Sequence, residues 1–196
     1  MAAIRLIAGL GNPGPRHADT PHNVGADFVA ALAARFDISL SEESRFKGRI
    51  GRGDILGHDA RLLIPTTYMN LSGECVGAVA TFYKFAPAEI LVAHDEMAFE
   101  PGVVRLKIGG GHNGHNGLRD IIAALGNATD FVRLRIGVGH PGDRDRVSSY
   151  LTGVKMRSED RERVANACRL SDELIALILA GDIGRAMNQL HASGND

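Results

Sequence analysis

The chain has 196 residues, 44% of them hydrophobic but only 5% aromatic, with no Trp and a formal net charge of −1. That length suits one domain with an aliphatic core, and the balanced charge excludes binding of nucleic acid through a global positive field; any such contact must be a local basic patch. No apolar run reaches the length of a membrane span and no secretory leader pattern opens the chain, so a soluble, cytoplasmic protein with no membrane partner is expected.

In chain order, Ile4–Leu10 reads as a strand, and Gly9-Leu10-Gly11-Asn12-Pro13-Gly14 follows with the G-x-G-x-x-G spacing of a dinucleotide-binding fold. That fingerprint needs a helix to open at its last glycine, so that free N–H groups hold a pyrophosphate. Pro15 and Pro21, with turn formers between them, oppose such a helix. The next helical pattern starts only near His22 and covers Asn23–Phe36, with Val24, Phe28, Val29, Leu32 and Phe36 on one face. The loop therefore presents Asn12 and His22 at one strand end rather than a phosphate cradle.

Phe46–Ile55 and Arg61–Pro65 read as a hairpin turning at Gly57-His58-Asp59. A helix is predicted over Ser72–Tyr83, with Ser72 as N-cap and Val76, Val79 and Phe82 inward. Strands at Ile90–His94, Val103–Ile108 and Val132–Val138 alternate with a helix over Leu118–Leu125 that ends at Gly126. Residues 139–153 are expected to be a mobile surface segment, followed by a long helix from Ser158 toward Leu179 and a short one over Ile183–His191. Residues 1–191 thus read as a single α/β domain, with a twisted mixed, mostly parallel sheet flanked by helices, and 192–196 as a frayed tail. Cys75 and Cys168, far apart in predicted helices, read as buried reduced thiols.

In open α/β sheets, sites form beyond the carboxyl ends of strands. Four polar clusters follow strands or apolar runs: Asn12, residues 66–70, His94-Asp95-Glu96 and the glycine loop 109–116. With His22 they are candidates for one cleft. A His beside a carboxylate makes a general base, because the acid fixes its tautomer and stabilises the imidazolium. Asp95 or Glu96 can partner His22, although each residue taken singly also serves as a cap or turn former. Asn12, Asn70 and Asn116 can donate to a carbonyl oxygen or position a water, or act only as turn and cap residues. No Ser or Cys sits in a G-x-S-x-G pattern, so water is the expected nucleophile.

His112 and His115 lie three apart in a glycine loop, not at helical ligand spacing, and no metal is expected. Arg105 with Lys107, and Arg133 with Arg135, alternate along strands beside the glycine loop, and Arg144, Arg146, Lys155 and Arg157 lie beyond. Such residues fit a phosphate, or simply solvated charged faces.

Taken in order, "GLGNPG", "TPHNVG", "PTTYMNLSG", "VAHDE" and "GGGHNGHNGLRDI…FVRLRIGVGHPG" resemble the bacterial-type peptidyl-tRNA hydrolases from about residue 4 to beyond residue 150. The resemblance implies cleavage of the ester between a peptide's C-terminus and the 3′ ribose of tRNA, recycling peptidyl-tRNA released by stalled ribosomes. It also implies a monomer without cofactor or metal, whose partner is the acceptor stem and 3′ end of peptidyl-tRNA. At matching positions it makes His22 the general base and Asp95 its orienting carboxylate, with Asn12 and Asn116 beside them and Asn116 holding the reacting water or oxyanion. Asn12 and Asn70 would bind the peptide and 3′ end, Met69 and its neighbour Tyr68 would line the peptide groove, and His17 and His115 would stand at substrate-binding positions. Lys107 and Arg135 would clamp the tRNA 5′ phosphate.

Two positions depart from the family pattern: His17 stands where Tyr is usual, and Pro21 where Arg is usual. Two other classes compete. A nucleotide-binding oxidoreductase would rest on Gly9–Gly14 and an acid such as Asp37, and the missing helix at Gly14 argues against it. An RNA-binding module without catalysis would leave the His–Asp–Asn constellation unexplained.

Overall fold

The computed structural model describes residues 1–193. Seven strands form one sheet in the order β2-β3-β4-β1-β5-β7-β6. They are β1 Leu6–Gly9, β2 Ser41–Glu43, β3 Gly48–Ile55, β4 His58–Pro65, β5 Ile90–Glu96, β6 Val104–Ile108 and β7 Val132–Gly137. The four central strands, β4, β1, β5 and β7, run parallel; β2 and β3 at one end and β6 at the other run antiparallel. The chain leaves β1 toward β4 on one side and then returns to β5 on the other. Beyond the carboxyl ends of β1, β4 and β5 lies the crevice where such a reversal places a site.

Alternation along β1 explains the two layers that cover the sheet. Leu6 and Ala8 face α2 (Ser72–Tyr83) and α3 (Asn116–Ala124), packing with Cys75, Val76, Val79, Leu118 and Ile121. Ile7 faces the opposite layer, where Phe28, Val29 and Leu32 of α1 (Val24–Arg35) join Ile175, Ile178 and Leu179 of α6 (Asp172–Leu179). The C-terminal helix α7 (Ile183–Ala192) closes this layer with Ile183, Ala186 and Leu190.

Two glycines set how closely α1 approaches the sheet. A Cβ on Gly25 would stand 2.2 Å from the Ala93 carbonyl oxygen of β5, and one on Gly9 would stand 2.2 Å from the Gly25 carbonyl oxygen. Helix backbone therefore rests directly on strand backbone. No α-helix opens at Gly14; short 3-10 turns at Pro15–His17 and Pro21–Asn23 lead into α1.

Several sequence expectations need correction. The hairpin turns at Leu56-Gly57, because Ile55 pairs with His58 and both turn residues have positive φ, 55° and 85°. The short edge strand β2, polar throughout, carried no apolar signal. Ser72 is the first helical residue, not the N-cap, and its hydroxyl donates to the Met69 carbonyl at 2.7 Å. Phe82 points outward, 54% exposed, with its ring against Phe46 and the Arg45 guanidinium.

The long C-terminal helix is two: α5 (Ser158–Ala167) stops before buried Leu170, and Ser171 caps α6 by accepting the Leu174 N–H at 3.2 Å. The glycine-rich stretch after β7 is ordered, carrying α4 (Val147–Gly153) with Leu151 buried and the Tyr150 hydroxyl donating to the Val138 carbonyl. Of the expected frayed tail, Ala192 ends α7 and the Ser193 hydroxyl binds the carbonyls of Gln189 and Leu190; residues 194–196 lie outside the described residues.

Both cysteines are free thiols. Cys75 is buried in α2 and Cys168 follows α5, and burial pushes both up to about 12. Among the described residues no helix is long and apolar enough to cross a membrane.

Candidate active site

Two of the four strand-end clusters, residues 94–96 and the glycine loop, meet His22 at one cavity; Asn12 and residues 66–70 are not among its lining residues. The cavity, of about 700 Å³, is lined by His22, His94, Asp95, Lys107, His115 and Asn116, among others, with α4 forming one wall. At its floor, Asp95 near the end of β5 offers one oxygen, Oδ1, to two imidazoles. His22 Nδ1 and His115 Nε2 each lie 2.8 Å from it. Both histidine side chains and the carboxylate are almost wholly enclosed.

The hydrogen-bond network fixes the tautomers. His115 is the N-cap of α3, and its Nδ1 accepts the Leu118 N–H at 3.3 Å. Nδ1 must therefore carry the lone pair, and Nε2–H donates to Asp95. Both nitrogens of His115 are spent. His22 donates Nδ1–H to the same oxygen, which leaves its Nε2 as the unprotonated nitrogen on the cavity wall. Of the two imidazoles on Asp95, only His22 has a nitrogen available to take a proton.

Burial alone would raise the Asp95 carboxyl, but the paired imidazoles hold it well below the usual carboxylate range. Glu96, the other sequence candidate for this role, is turned to β7, where Arg135 Nε donates to its Oε2 at 3.0 Å. His94 stacks edge-on against His115, with ring centroids 5.1 Å apart. Its Nδ1–H donates to the Asp95 carbonyl at 2.9 Å. Burial first, and then the neighbouring His115, push His94 down to about 3, so it is neutral at ordinary pH.

Asn12, after β1, ties three segments together. Its backbone N–H donates to Asn23 Oδ1 at 2.8 Å, and its carbonyl accepts from Asn23 Nδ2 at 3.0 Å. Its side-chain Oδ1 accepts the Met69 N–H at 2.7 Å, which leaves Nδ2 as its unspent donor. Asn116, the first residue of α3, lines the cavity, and its Oδ1 accepts from Arg119 at 3.2 Å.

Met69 is buried, and its sulfur packs against the start of α3 at Gly117. Tyr68 and Asn70 flank it, exposed on the turn that leads into α2 and outside the His22 cavity. His17 also lies outside the lining: its Nδ1–H donates to the Thr152 carbonyl at 3.2 Å and so joins the loop to α4.

Antiparallel register sets Arg105 opposite Arg135 and Lys107 opposite Arg133, so four cations share one face of the sheet. They do not share one role. Lys107, Arg133 and Arg135 line the cavity, whereas Arg105 donates to the His191 carbonyl at 3.1 Å. Arg133 is 2% exposed, under the glycine loop.

Sequence reasoning missed Asn23 and gave His94 no role of its own within the 94–96 cluster. Asn23 adjoins His22, and His94 adjoins Asp95; adjacency to a candidate was the one signal available. His22, Asp95 and His115 are also the group whose ligand atoms, all within 4.8 Å of one another, could meet a metal ion. The separations from Asp95 are ordinary hydrogen-bond lengths, and the second nitrogen of His115 is already committed to the helix cap. His112, the other half of the sequence pair, turns its Nδ1 to the Gly114 N–H at 3.0 Å and is not part of that group.

The family profile described as peptidyl-tRNA hydrolase matches residues 6–196. The chain is 48% identical over 192 residues to the peptidyl-tRNA hydrolase of Actinobacillus pleuropneumoniae serotype 5b, covering 98% of each chain. It is 51% identical over 195 residues to that of Pectobacterium atrosepticum, again covering 98% of each. The crystal structure of the peptidyl-tRNA hydrolase from Acinetobacter baumannii superposes with a TM-score of 0.91 at 49% identity, over 95% of this chain and 94% of that one.

Proposed function

The chain belongs to the peptidyl-tRNA hydrolase family, and from that premise we propose that it cleaves the peptide–tRNA ester with a water deprotonated by His22. The observation that carries this reading is the single Asp95 oxygen holding both imidazoles, with only His22 retaining an open nitrogen.

His22 Nε2 takes a proton from water as the oxygen adds to the ester carbonyl. The imidazolium that forms lies 2.8 Å from a carboxylate kept ionised, which stabilises it. The carbonyl oxygen gains the charge, and the Nδ2 groups of Asn12 and Asn116 are donors suited to it. The tetrahedral intermediate collapses, the 3′ ribose oxygen leaves, and His22 returns the proton to it. A peptide carboxylic acid and tRNA result, with no covalent enzyme intermediate.

The peptide side of the substrate runs toward Met69, Tyr68 and Asn70, and His17 supports the α4 wall. Lys107 and Arg135 meet the 5′ phosphate of the acceptor stem. The reading is of a monomer built on a single domain, acting in the cytoplasm to recycle peptidyl-tRNA from stalled translation.

The test is hydrolysis of N-blocked aminoacyl-tRNA in ¹⁸O-water, with and without a chelator. One ¹⁸O in the released acid, unchanged by the chelator, is expected. No release of acid would sink the reading, and chelator loss restored by one added metal would replace the His22 mechanism with a metal-borne hydroxide.

A further inference from the structure

The second arginine of the β7 pair is unexplained by phosphate binding. Arg133 shares its sheet face with Lys107 and Arg135 and borders the same cavity, yet it is only 2% exposed and its guanidinium is turned into the glycine loop. Its Nη2 donates to the Gly110 carbonyl and its Nη1 to the Gly111 carbonyl, and its plane lies 4.6 Å from the Phe131 ring centre. Its Nε is buried with no hydrogen-bond partner. A buried cation with one N–H unspent is a costly way to fill space. An incoming phosphate would find both of its Nη groups already spent on those carbonyls.

The clamped segment has little else to hold it. Gly109, Gly110, Asn113 and Gly114 all have positive φ, and no regular element runs between β6 and α3. Its remaining anchors are a Gly109 N–H to the Phe131 carbonyl at 3.1 Å and contacts within the loop around His112. The loop ends on His115, whose ring must meet both the Leu118 N–H and Asp95 Oδ1. One side of the loop also touches the anion-facing cation: a Cβ at Gly110 would lie 2.8 Å from Lys107 Nζ.

We propose that Arg133 is a positioning residue for the hydrolysis: by clamping the Gly110 and Gly111 carbonyls it fixes the loop that delivers His115 to Asp95, and through Asp95 it holds His22 in register. Arg133 touches no substrate. The proposal rests on the reading of His22 as the base, and it extends the catalytic support beyond Asp95 to a residue one strand away.

The test uses Arg133→Met, which fills the space without donors, and Arg133→Lys, which keeps the charge but cannot span both carbonyls. The first readout is the ring ¹⁵N spectrum of His115 in the uncomplexed protein, which is independent of any substrate. The second is steady-state cleavage of N-blocked aminoacyl-tRNA and of a blocked aminoacyl trinucleotide that lacks the 5′ phosphate. In both variants His115 is expected to lose its single Nε2–H tautomer. kcat should fall roughly tenfold or more on both substrates alike, with KM changed by no more than about twofold. The acid limb of the pH–rate profile should move to higher pH, because a carboxylate that has lost one donor grips the other donor's proton more tightly.

Two results would overturn the proposal. A rise in KM for tRNA alone, with a smaller salt slope and an unchanged His115 spectrum, would make Arg133 a phosphate ligand. A lower melting temperature with unchanged kcat, pH profile and His115 signals would make it structural filling. If Arg133→Met does not fold, Arg133→Lys alone decides between these outcomes. If the wild-type chain cleaves neither substrate, the hydrolytic reading fails, while the His115 spectrum still decides whether Arg133 sets that ring.

Discussion

The carboxamide oxygen of Asn12 accepts the backbone N–H of Met69 at 2.7 Å, so the residue after β1 fixes the loop after β4. One half of the amide is structural and the other half, Nδ2, is unspent. Asn12→Asp separates the two. The carboxylate keeps the acceptor for Met69 but puts negative charge where the proposed mechanism builds an oxyanion. Turnover should fall on the order of 10²–10³-fold with an unchanged melting temperature. Calorimetry beside single-turnover kinetics checks this, and an active Asp variant would reduce Asn12 to a strut.

His22→Ala should lower ester hydrolysis by roughly 10²–10⁴-fold without unfolding the chain. Asp95→Asn should cost a comparable factor, since an amide can donate to His22 Nδ1 and trap the unproductive tautomer. The two residues act as a unit, so the double variant should be little worse than either single one. Additive losses would mean that the pair does not work through one proton.

Lys107→Ala and Arg135→Ala should weaken tRNA binding, each lowering the log–log salt slope by about 1. The Arg135 variant should also lose some folding stability, because it strands the half-buried Glu96 carboxylate bonded at 3.0 Å. Small blocked esters without a 5′ phosphate should be cleaved normally by the Lys107 variant. Equal damage to both substrates would place Lys107 in catalysis or folding instead.

Acid should expose His94. Its ordinary value is 6.5 and its folded value is about 3, so between those limits the unfolded chain binds a proton that the folded chain does not. Stability should therefore fall as pH drops from about 6.5 toward about 3, with a slope of up to about 1.4 kcal/mol per pH unit from this residue. Asp95, held low in the folded state, adds its own loss below the ordinary carboxylate value of 3.8. Urea titrations of wild type and His94→Phe at several pH values measure the difference. Identical slopes in the two proteins would show that His94 is protonated without penalty.

The sheet and the meeting of His22 with an acid at the end of β5 were legible because both follow from alternation and from where strands end. Val24, Phe28, Val29 and Leu32 mark α1 at helical spacing, and Leu91-Val92-Ala93 leads into His94-Asp95-Glu96. The choice between Asp95 and Glu96 was not legible. Consecutive strand residues point to opposite faces, so it depends on which neighbour each face meets, and Arg135 claims Glu96. Arg133 and Arg135 were indistinguishable for a similar reason. Same strand, same face and same residue type say nothing about which one the glycine loop will cover. Phe82 misled because an inward helix position was inferred from spacing, while its ring lies over the hairpin's Phe46 instead.

The seat of α1 on β5 has a bearing on how this enzyme can vary. Gly9 and Gly25 put peptide plane on peptide plane, with no side chain between them as an adjustable spacer. A methyl at either place would have to lift the helix by roughly an ångström, enough to cost about 10²-fold when reacting groups lose register. The spacing of the α1 backbone from β5, on which His22 and Asp95 are mounted, is thus set by main chain, like a gauge block. Drift in sequence is tolerable on the outer face of α1, where Ala30 and Ala31 meet solvent, and barred at Gly25 on its inner face and at Gly9 of β1 beneath it. Gly9, the first glycine of the mimicked nucleotide fingerprint, and Gly25 together are the tolerance of the instrument.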